Sequence, residues 1–372
     1  MFKRASFKNF KGLRDVSLEL GRMTVLIGPN ASGKSSVLDG IHLASQLALP
    51  HRWRERDIRG PFADLLEGAA HLRTRGESGS LSIAVDISAG SFAIECMAND
   101  GGEWHARASF PRPNDSVGVP SREDVRPFFQ ALPAELGAVV RLRLQSHKLR
   151  SPSYSEDEVP RVEHDGAGLA SAIAHIAAAI GREAIEAIEA DLRAVVPTVG
   201  KIRAPRAEVT RRETIVLPDG SSTFSDRKVW GNKVEVEVAG AGYLSADLLS
   251  DGTLIALALV TLLNGPQVPR VILLDDIESG LHPHAQQELV GVLRKFMTRM
   301  PEVQFVLTTH SPYLLDSIED DEIYALRLND NGHTVCRKLC EHPDWARWRG
   351  KMKMGEFWST VGEDWVPENA AE

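Results

Sequence analysis

Residues Met23–Ser35 read Met-Thr-Val-Leu-Ile-Gly-Pro-Asn-Ala-Ser-Gly-Lys-Ser, and the stretch Ser36–Leu47 after them carries apolar residues at helical spacing. A short apolar strand, a glycine-bracketed turn and a helix in immediate succession form a unit suited to holding phosphate. One phosphate group needs several backbone N–H donors converging on a point. Gly28 and Gly33 let the main chain curl that tightly, with Pro29, Asn30, Ala31 and Ser32 forming the loop between them. Lys34 is placed to reach the β- and γ-phosphates of a nucleotide, and the Ser35 hydroxyl to ligate Mg²⁺. Ser36 continues into a helix whose positive end faces the anion. Four fixed positions of this kind match by chance about one time in a hundred in such a chain, and the flanking strand and helix lower that further. The stretch implies a bound nucleotide.

The chain has 372 residues, enough for one large α/β unit with insertions or two to three average domains. Hydrophobic residues make up 43% and charged residues 25%, which suits a folded protein with a sizeable core. A net charge of −8 excludes a molecule that is basic all over, so any DNA contact must come from local patches. Cys96, Cys336 and Cys340 do not make a disulfide framework, and a reducing cytoplasm is expected. The first residues lack a signal-peptide core, and no apolar run is long enough to cross a membrane.

Before the loop, residues 2–27 read as two or three short strands, turning at Phe7-Lys8-Asn9-Phe10-Lys11-Gly12. A charged stretch follows the helix, from His51 to Gly60. Residues 80–110 alternate apolar and polar as an antiparallel meander, and Val139–Leu144 is a further strand candidate. The polar segment Ser151–Val159 reads as a loop. Ala167–Val195 has helical periodicity, and residues 199–240 read as a β-ribbon turning at Pro218-Asp219-Gly220. From Thr253 onward helix and strand alternate: Thr253–Leu263, Val271–Leu274, Pro283–Met300 and Gln304–Leu307. That alternation marks a parallel sheet.

Val271-Ile272-Leu273-Leu274 is solidly apolar, as a strand buried on both faces requires, and ends in Asp275-Asp276. Ligands of parallel sheets sit at the carboxyl ends of strands, which places Asp275 to hold Mg²⁺ and Asp276 to orient or deprotonate an attacking water. A second apolar strand ends in Thr308-Thr309-His310-Ser311-Pro312, where His310 can reach the γ-phosphate. Between them lies Leu248-Leu249-Ser250-Asp251-Gly252-Thr253. Ser250 and Asp251 are good N-cap residues for the following helix, and a helix start with Ser and Gly is also an anion site. The residues alone leave both readings open.

Taken together, these pieces resemble the ATPase head of the ABC superfamily. Gly28–Ser35 resembles its Walker A motif, Leu249–Gly252 the signature, Ile272–Asp276 Walker B, and His310 the switch histidine. Phe7–Gly12, the run Asp275–Pro283 (DDIESGLHP), the run Thr308–Asp316 (TTHSPYLLD) and the ending Gly355–Trp358 with Gly362–Val366 resemble the SMC, RecF and OLD-like branch. The matches cover residues 1–47 and 248–366, roughly half of the chain. The implied fold is α/β, a P-loop NTPase with a mixed sheet, an antiparallel β subregion and a helical and β insertion between loop and signature. On the sequence this divides into 1–60 around the loop, 61–240 as insertion, 241–330 with signature and acidic strand, and 331–372 as a C-terminal extension.

The resemblance implies ATP and Mg²⁺ as cofactors and a head-to-tail homodimer, in which Ser250, Asp251 and Gly252 of one chain meet the γ-phosphate held by Lys34 of the other. It also implies a glutamine that senses Mg²⁺, for which Gln145 is the candidate. The expected catalytic set is Asp276, His310 and Lys34; the expected metal set is Ser35, Asp275 and Gln145. Two departures bear on turnover. Asp276 stands where the family usually has Glu, one methylene longer, and Ile277 stands where Pro is common; Glu278 is a compensating candidate. The expected function is an ATPase switch in DNA repair, genome maintenance or phage defence, acting with a separate nuclease or toxin effector and in contact with DNA. Only 62 residues follow His310, too few for a Toprim nuclease domain. A nucleotide-gated scaffold with negligible hydrolysis and no DNA contact is the alternative. A transporter subunit fits worst, because about 215 residues separate Lys34 from Ser250.

Three lesser signals remain. His333, Cys336, Cys340 and His342 are poorly spaced for a zinc finger, and strand periodicity through Val335 accounts for them more simply. Basic clusters at Arg52–Arg59, at Arg141-Arg143-Lys148-Arg150 and at Lys201-Arg203-Arg206-Arg211-Arg212 could touch phosphates or be solvated faces with paired acids. Trp345, Trp348, Trp358 and Trp365 read as core or a docking surface.

Overall fold

The structure is a computed structural model, and it describes residues 1–48, 72–74, 79–98, 104–110, 116–119, 132, 134–216 and 222–367. The strands, in chain order, are β1 (Phe2–Phe10), β2 (Leu13–Glu19), β3 (Met23–Ile27), β4 (Leu81–Ile87), β5 (Gly90–Ala98), β6 (Trp104–Ser109), β7 (Ser116–Val119), β8 (Val139–Leu142), β9 (Val199–Arg203), β10 (Arg206–Val216), β11 (Ser222–Asn232), β12 (Glu235–Val238), β13 (Gly242–Ser245), β14 (Val271–Leu274), β15 (Gln304–Thr308), β16 (Ile323–Leu328) and β17 (Thr334–Lys338). The longer helices are α1 (Lys34–Leu47), α2 (Leu169–His175), α3 (Arg182–Val195), α4 (Asp251–Leu263) and α5 (Pro283–Arg299). The chain divides into two compact units, one of Met1–Arg141, Pro269–Ile277 and Met297–Glu372, the other of Leu142–Val268 and Glu278–Phe296.

The first unit holds two six-stranded sheets. One is wholly antiparallel, in the order β2-β1-β4-β5-β6-β7. Alternation explains it: Leu81, Ile83, Val85 and Ile87 of β4 are buried while the residues between them are half-buried. The other sheet runs β17-β16-β3-β15-β14-β8. Its β16, β3, β15 and β14 are parallel, and β17 pairs antiparallel with β16 at the edge. All residues of β3, β14 and β15 are buried, as continuous apolar runs in a covered parallel sheet must be. Helix α1 packs its Val37, Leu38, Ile41 and Ala44 into a core shared with Phe2, Phe7 and Phe10 of β1. Gly40 makes that approach possible, since a Cβ there would be driven into the Phe7 ring.

The C-terminal extension adds a satellite cluster. His342 meets Phe357 and Trp365 edge-on, with ring centroids 5.1 and 5.0 Å away, and Trp345 lies 4.9 Å from Phe357. Burial among these rings lowers the His342 pKa. Cys336 sits on β17 and Cys340 in the turn Leu339–Glu341.

The second unit is built on α4, which is apolar on every side and buried from Gly252 to Leu263. Against it pack α2 and α3. The helical stretch expected over Ala167–Val195 is interrupted: α2 runs into a π-helical turn at Ile176–Ile180 and stops at Gly181, whose φ of +111° no helix accommodates. Two buried carboxylates of α3 are satisfied. Asp191 accepts from Lys295 Nζ at 2.6 Å and Asn264 Nδ2 at 3.1 Å, and Glu189 accepts from Arg182 at 3.0 Å and the Ile202 N–H at 2.9 Å. Strands β13-β12-β9 form a small sheet, and β10 and β11 form a two-stranded ribbon from Arg206 opposite Asn232 to Val216 opposite Ser222. The expected turn at Pro218–Gly220 lies outside the described residues, as does the cluster Arg52–Arg59. The loop Ser151–Val159 is tied to the ribbon by Ser153, which exchanges two backbone hydrogen bonds of 2.9 Å with Asn232. No helix among the described residues is long and apolar enough to cross a membrane.

Candidate functional site

Strand β3 lies between β15 and β16, so the loop it feeds leaves the middle of the parallel sheet. Gly28 has φ +139° and Gly33 φ +102°, both in the region that favours glycine, and a Cβ at either would strike Leu326 or Thr334 respectively. Ala31 also turns left-handed, at φ +65°. Pro29, Asn30 and Ala31 are exposed while Ser32 and Lys34 are buried. Lys34 Nζ donates to the carbonyls of Gly28 and Pro29 at 2.8 and 2.9 Å, curling the ammonium into its own loop. Ser32 Oγ is buried without a hydrogen-bond partner. Helix α1 starts at Lys34 with no side chain capping it, leaving its first N–H groups facing the loop.

The acidic strand end meets this loop. Ser35 Oγ donates to Asp275 Oδ1 at 3.0 Å although the two residues are 240 apart in sequence. Thr308, at the end of β15, donates to the same oxygen at 2.8 Å and accepts from the Asp276 N–H at 2.8 Å. One hydroxyl thereby fixes both acidic residues. The other oxygen of Asp275 pairs with Arg141 of β8 at 3.0 Å. Arg141 also pairs with Asp39 on α1, which Lys11 joins. Asp276 is exposed and adopts φ +52°. Aspartate tolerates that region better than longer side chains, because its short carboxylate can bond locally. His310 follows directly on the buried Thr308 and Thr309 and is itself exposed.

These residues fit a nucleotide with Mg²⁺. The loop holds an orphaned buried hydroxyl at Ser32, and Ser35 with Asp275 offers the hard oxygen donors that Mg²⁺ takes.

The signature stretch and Gln145 belong to the second unit. Ser250 is the N-cap of α4: its Oγ accepts the Thr253 N–H at 3.2 Å. Asp251 pairs with Arg150 at 2.6 Å, and Arg150 also donates to the Leu249 carbonyl at 2.9 Å. Hydrogen bonds from Arg150 and Ser146 hold the Asp251 carboxyl below its ordinary pKa. Gln145 donates its N–H to the Asp165 carbonyl at 2.9 Å and leads into the turn Ser146–Arg150. Glu278 follows in the same unit, as does Gly252 in the first turn of α4.

Sequence reasoning missed Thr308 and Asp39, and read Arg141 only as one member of a basic cluster. The structure shows three of its members facing acids: Arg141 on Asp39 and Asp275, Lys148 near Asp165 at 3.9 Å, Arg150 on Asp251. In the third cluster Arg203 meets Glu235, Arg211 Glu156 and Arg212 Asp226. A hydroxyl one residue before Thr309-His310, on a strand ending beside the acidic one, was the available signal for Thr308.

Similarity to known proteins agrees with this geometry. The OLD nuclease of Thermus scotoductus is 22% identical over 396 aligned residues, spanning 97% of this chain and 69% of that protein. The Retron Ec83 probable ATPase of Escherichia coli is 34% identical over 96 residues, 23% of this chain and 17% of that protein. Among solved structures, an SmcHead bound to the C-winged helix domain of ScpA superposes with a TM-score of 0.55 at 15% identity, covering 91% of this chain and 98% of that one. This likeness shows the fold to be that of an SMC head. The family described as "AAA domain, putative AbiEii toxin, Type IV TA system" matches residues 23–316, and the chain belongs to it.

Proposed function

We propose that the chain is an ATP-binding and ATP-hydrolysing switch that closes head to tail with a second copy when both hold nucleotide. The observation that carries this reading is the hydrogen bond from Ser35 to Asp275, which joins the phosphate loop to the acidic strand end. In this reading Gly28–Ser36 cradle the phosphates and Lys34 leaves its own loop carbonyls to meet them. Ser35 and Asp275, with Gln145 as a further candidate, would hold Mg²⁺, which would neutralise phosphate charge when bound. Asp276 orients or deprotonates the attacking water, and His310 contacts the γ-phosphate. Ser250, Asp251 and Gly252 of the partner chain complete the site, because the α4 dipole favours closure only where an anion is present.

Two exposed side chains support closure. Leu248, just before the signature, is 70% exposed, and Tyr313, just after His310, is 53% exposed. Large apolar groups left in water beside functional segments suit faces covered on association. The relatives named a nuclease and a retron ATPase support a role in DNA maintenance or phage defence beside an effector on another chain. DNA contact is assigned to the ribbon of β10 and β11. Arg206 lies over Trp230 and Arg212 over Phe224, with both aromatic rings more than half exposed.

The short Asp276 favours slow turnover, and a nucleotide-gated scaffold is the second reading. Single-turnover hydrolysis by wild type, Lys34→Ala and Asp276→Asn separates the two. The enzyme reading expects both variants to be slower, and equal rates in all three would end it. Light scattering with and without ATP tests closure, and a monomer indifferent to ATP refutes it. DNA binding must weaken steeply as salt rises if phosphates are contacted.

A further inference from the structure

Arg141 lies beside Asp275 and has two carboxylates to choose between. Its guanidinium holds Asp275 Oδ2 at 3.0 Å and also pairs with Asp39 on α1. The Asp275 side chain is only 4% exposed and that of Arg141 20%, so water screens this pair weakly. Both oxygens of Asp275 are engaged: Oδ1 by Ser35 and Thr308, Oδ2 by Arg141. A divalent cation recruited by Ser35 and Asp275 has to share a carboxylate whose charge a guanidinium already offsets. Asp39 supplies Arg141 with an alternative partner, and Lys11 competes for that partner.

We propose that Arg141 is an electrostatic latch on Asp275 that sets how much Mg²⁺ the nucleotide site requires. Arg141 bridges Asp275 and Asp39 and braces β8 against α1. Were Asp275 to ligate a divalent cation, Asp39 would remain as the partner of Arg141. Arg141 is thus a positioning residue: it acts on the metal through Asp275. The proposal rests on the nucleotide-binding reading of the Gly28–Ser35 loop.

The test uses a fluorescent ATP analogue as probe, bound first in EDTA and then with MgCl₂ titrated in, each variant serving as its own reference. The Mg²⁺ concentration giving half of the metal-dependent gain in affinity is the readout. Arg141→Gln is expected to lower it by about threefold or more, the scale of a partly exposed ion pair. Arg141→Lys keeps the charge and is expected to stay nearer wild type. Asp39→Asn removes the fallback partner, leaves Arg141 on Asp275 alone, and is expected to raise the value. It also keeps the proposal testable should Arg141→Gln not fold. A midpoint unchanged or raised in Arg141→Gln, or unchanged or lowered in Asp39→Asn, overturns the latch. Failure of wild type to bind the analogue, or binding indifferent to Lys34→Ala, overturns the nucleotide reading and the latch with it. Lys34-dependent binding with a wrong-signed Mg²⁺ shift overturns the latch alone.

Discussion

Thr308 and Asp275 end neighbouring parallel strands, and the Thr308 hydroxyl donates to Asp275 Oδ1 at 2.8 Å while accepting the Asp276 N–H at the same distance. One buried hydroxyl therefore sets the direction of the carboxylate and the backbone of the residue after it. Thr308→Val keeps the shape and removes both bonds. The carboxylate and the N–H lose a partner, which costs about 1–3 kcal/mol. Urea unfolding of the variant checks this, and a midpoint equal to wild type contradicts it.

Lys34 is buried and donates to two carbonyls of its own loop. Lys34→Ala removes a charged donor from the proposed phosphate site, and the expected loss of ATP affinity is about 10- to 100-fold, the worth of a charge-assisted hydrogen bond. Calorimetric titration with ATP measures it. Undiminished affinity would falsify the assignment of the loop.

Gly40 sets two effects against each other. Helix propensity alone predicts that Gly40→Ala stabilises by about 1 kcal/mol. The added methyl, however, would overlap the Phe7 ring, and overpacking a buried contact costs about 1–3 kcal/mol. Packing is expected to win, and Gly40→Val to be worse. A rise in melting temperature for Gly40→Ala would show that Phe7 moves aside.

Asp251 gives the pH dependence a sign. Its folded carboxyl is held below its ordinary pKa by hydrogen bonds from Arg150 and Ser146. A depressed acid adds stability above its unfolded pKa and loses it as pH falls through the folded one. The stability gap between wild type and Asp251→Asn should thus be open at neutral pH and close on acidification. Asp251 is half exposed, so the gap should stay under about 1 kcal/mol. Denaturation curves of both proteins across the acidic range report it, and a gap widening toward low pH refutes the assignment.

The thiols should be sluggish. Burial pushes Cys96 and Cys336 up to about 12, and it raises Cys340 as well. Little thiolate forms at pH 8, so a disulfide reagent should label the folded protein slowly and the urea-unfolded protein fast. Prompt labelling of two thiols in the folded state would overturn this.

Much of the site was legible along the chain. Gly28, Gly33, Lys34 and Ser35 lie within eight residues, and their chemistry is local: two backbone turns, one ammonium, one hydroxyl. Asp275 was legible because it closes a wholly apolar strand, and His310 because it follows closely on the apolar run Phe305–Leu307. The meander of β4 to β6 showed in strict alternation. The break at Gly181 did not, because alanine-rich helix formers lie on both sides of it and a lone glycine is a weak stop signal.

The sequence by itself determined the glycine-bracketed loop after β3, the acidic strand end, the parallel-sheet alternation and the family, since each rests on the backbone demands of a few consecutive residues. Only the tertiary structure decided which side chains answer one another. Sheet order puts β15 beside both β3 and β14, bringing Thr308 to Asp275 across 33 residues, while Arg141 reaches Asp275 across 134. Ion pairs between distant strands leave no periodic trace, because a charged residue at a strand end reads alike whether it faces water, phosphate or a buried carboxylate.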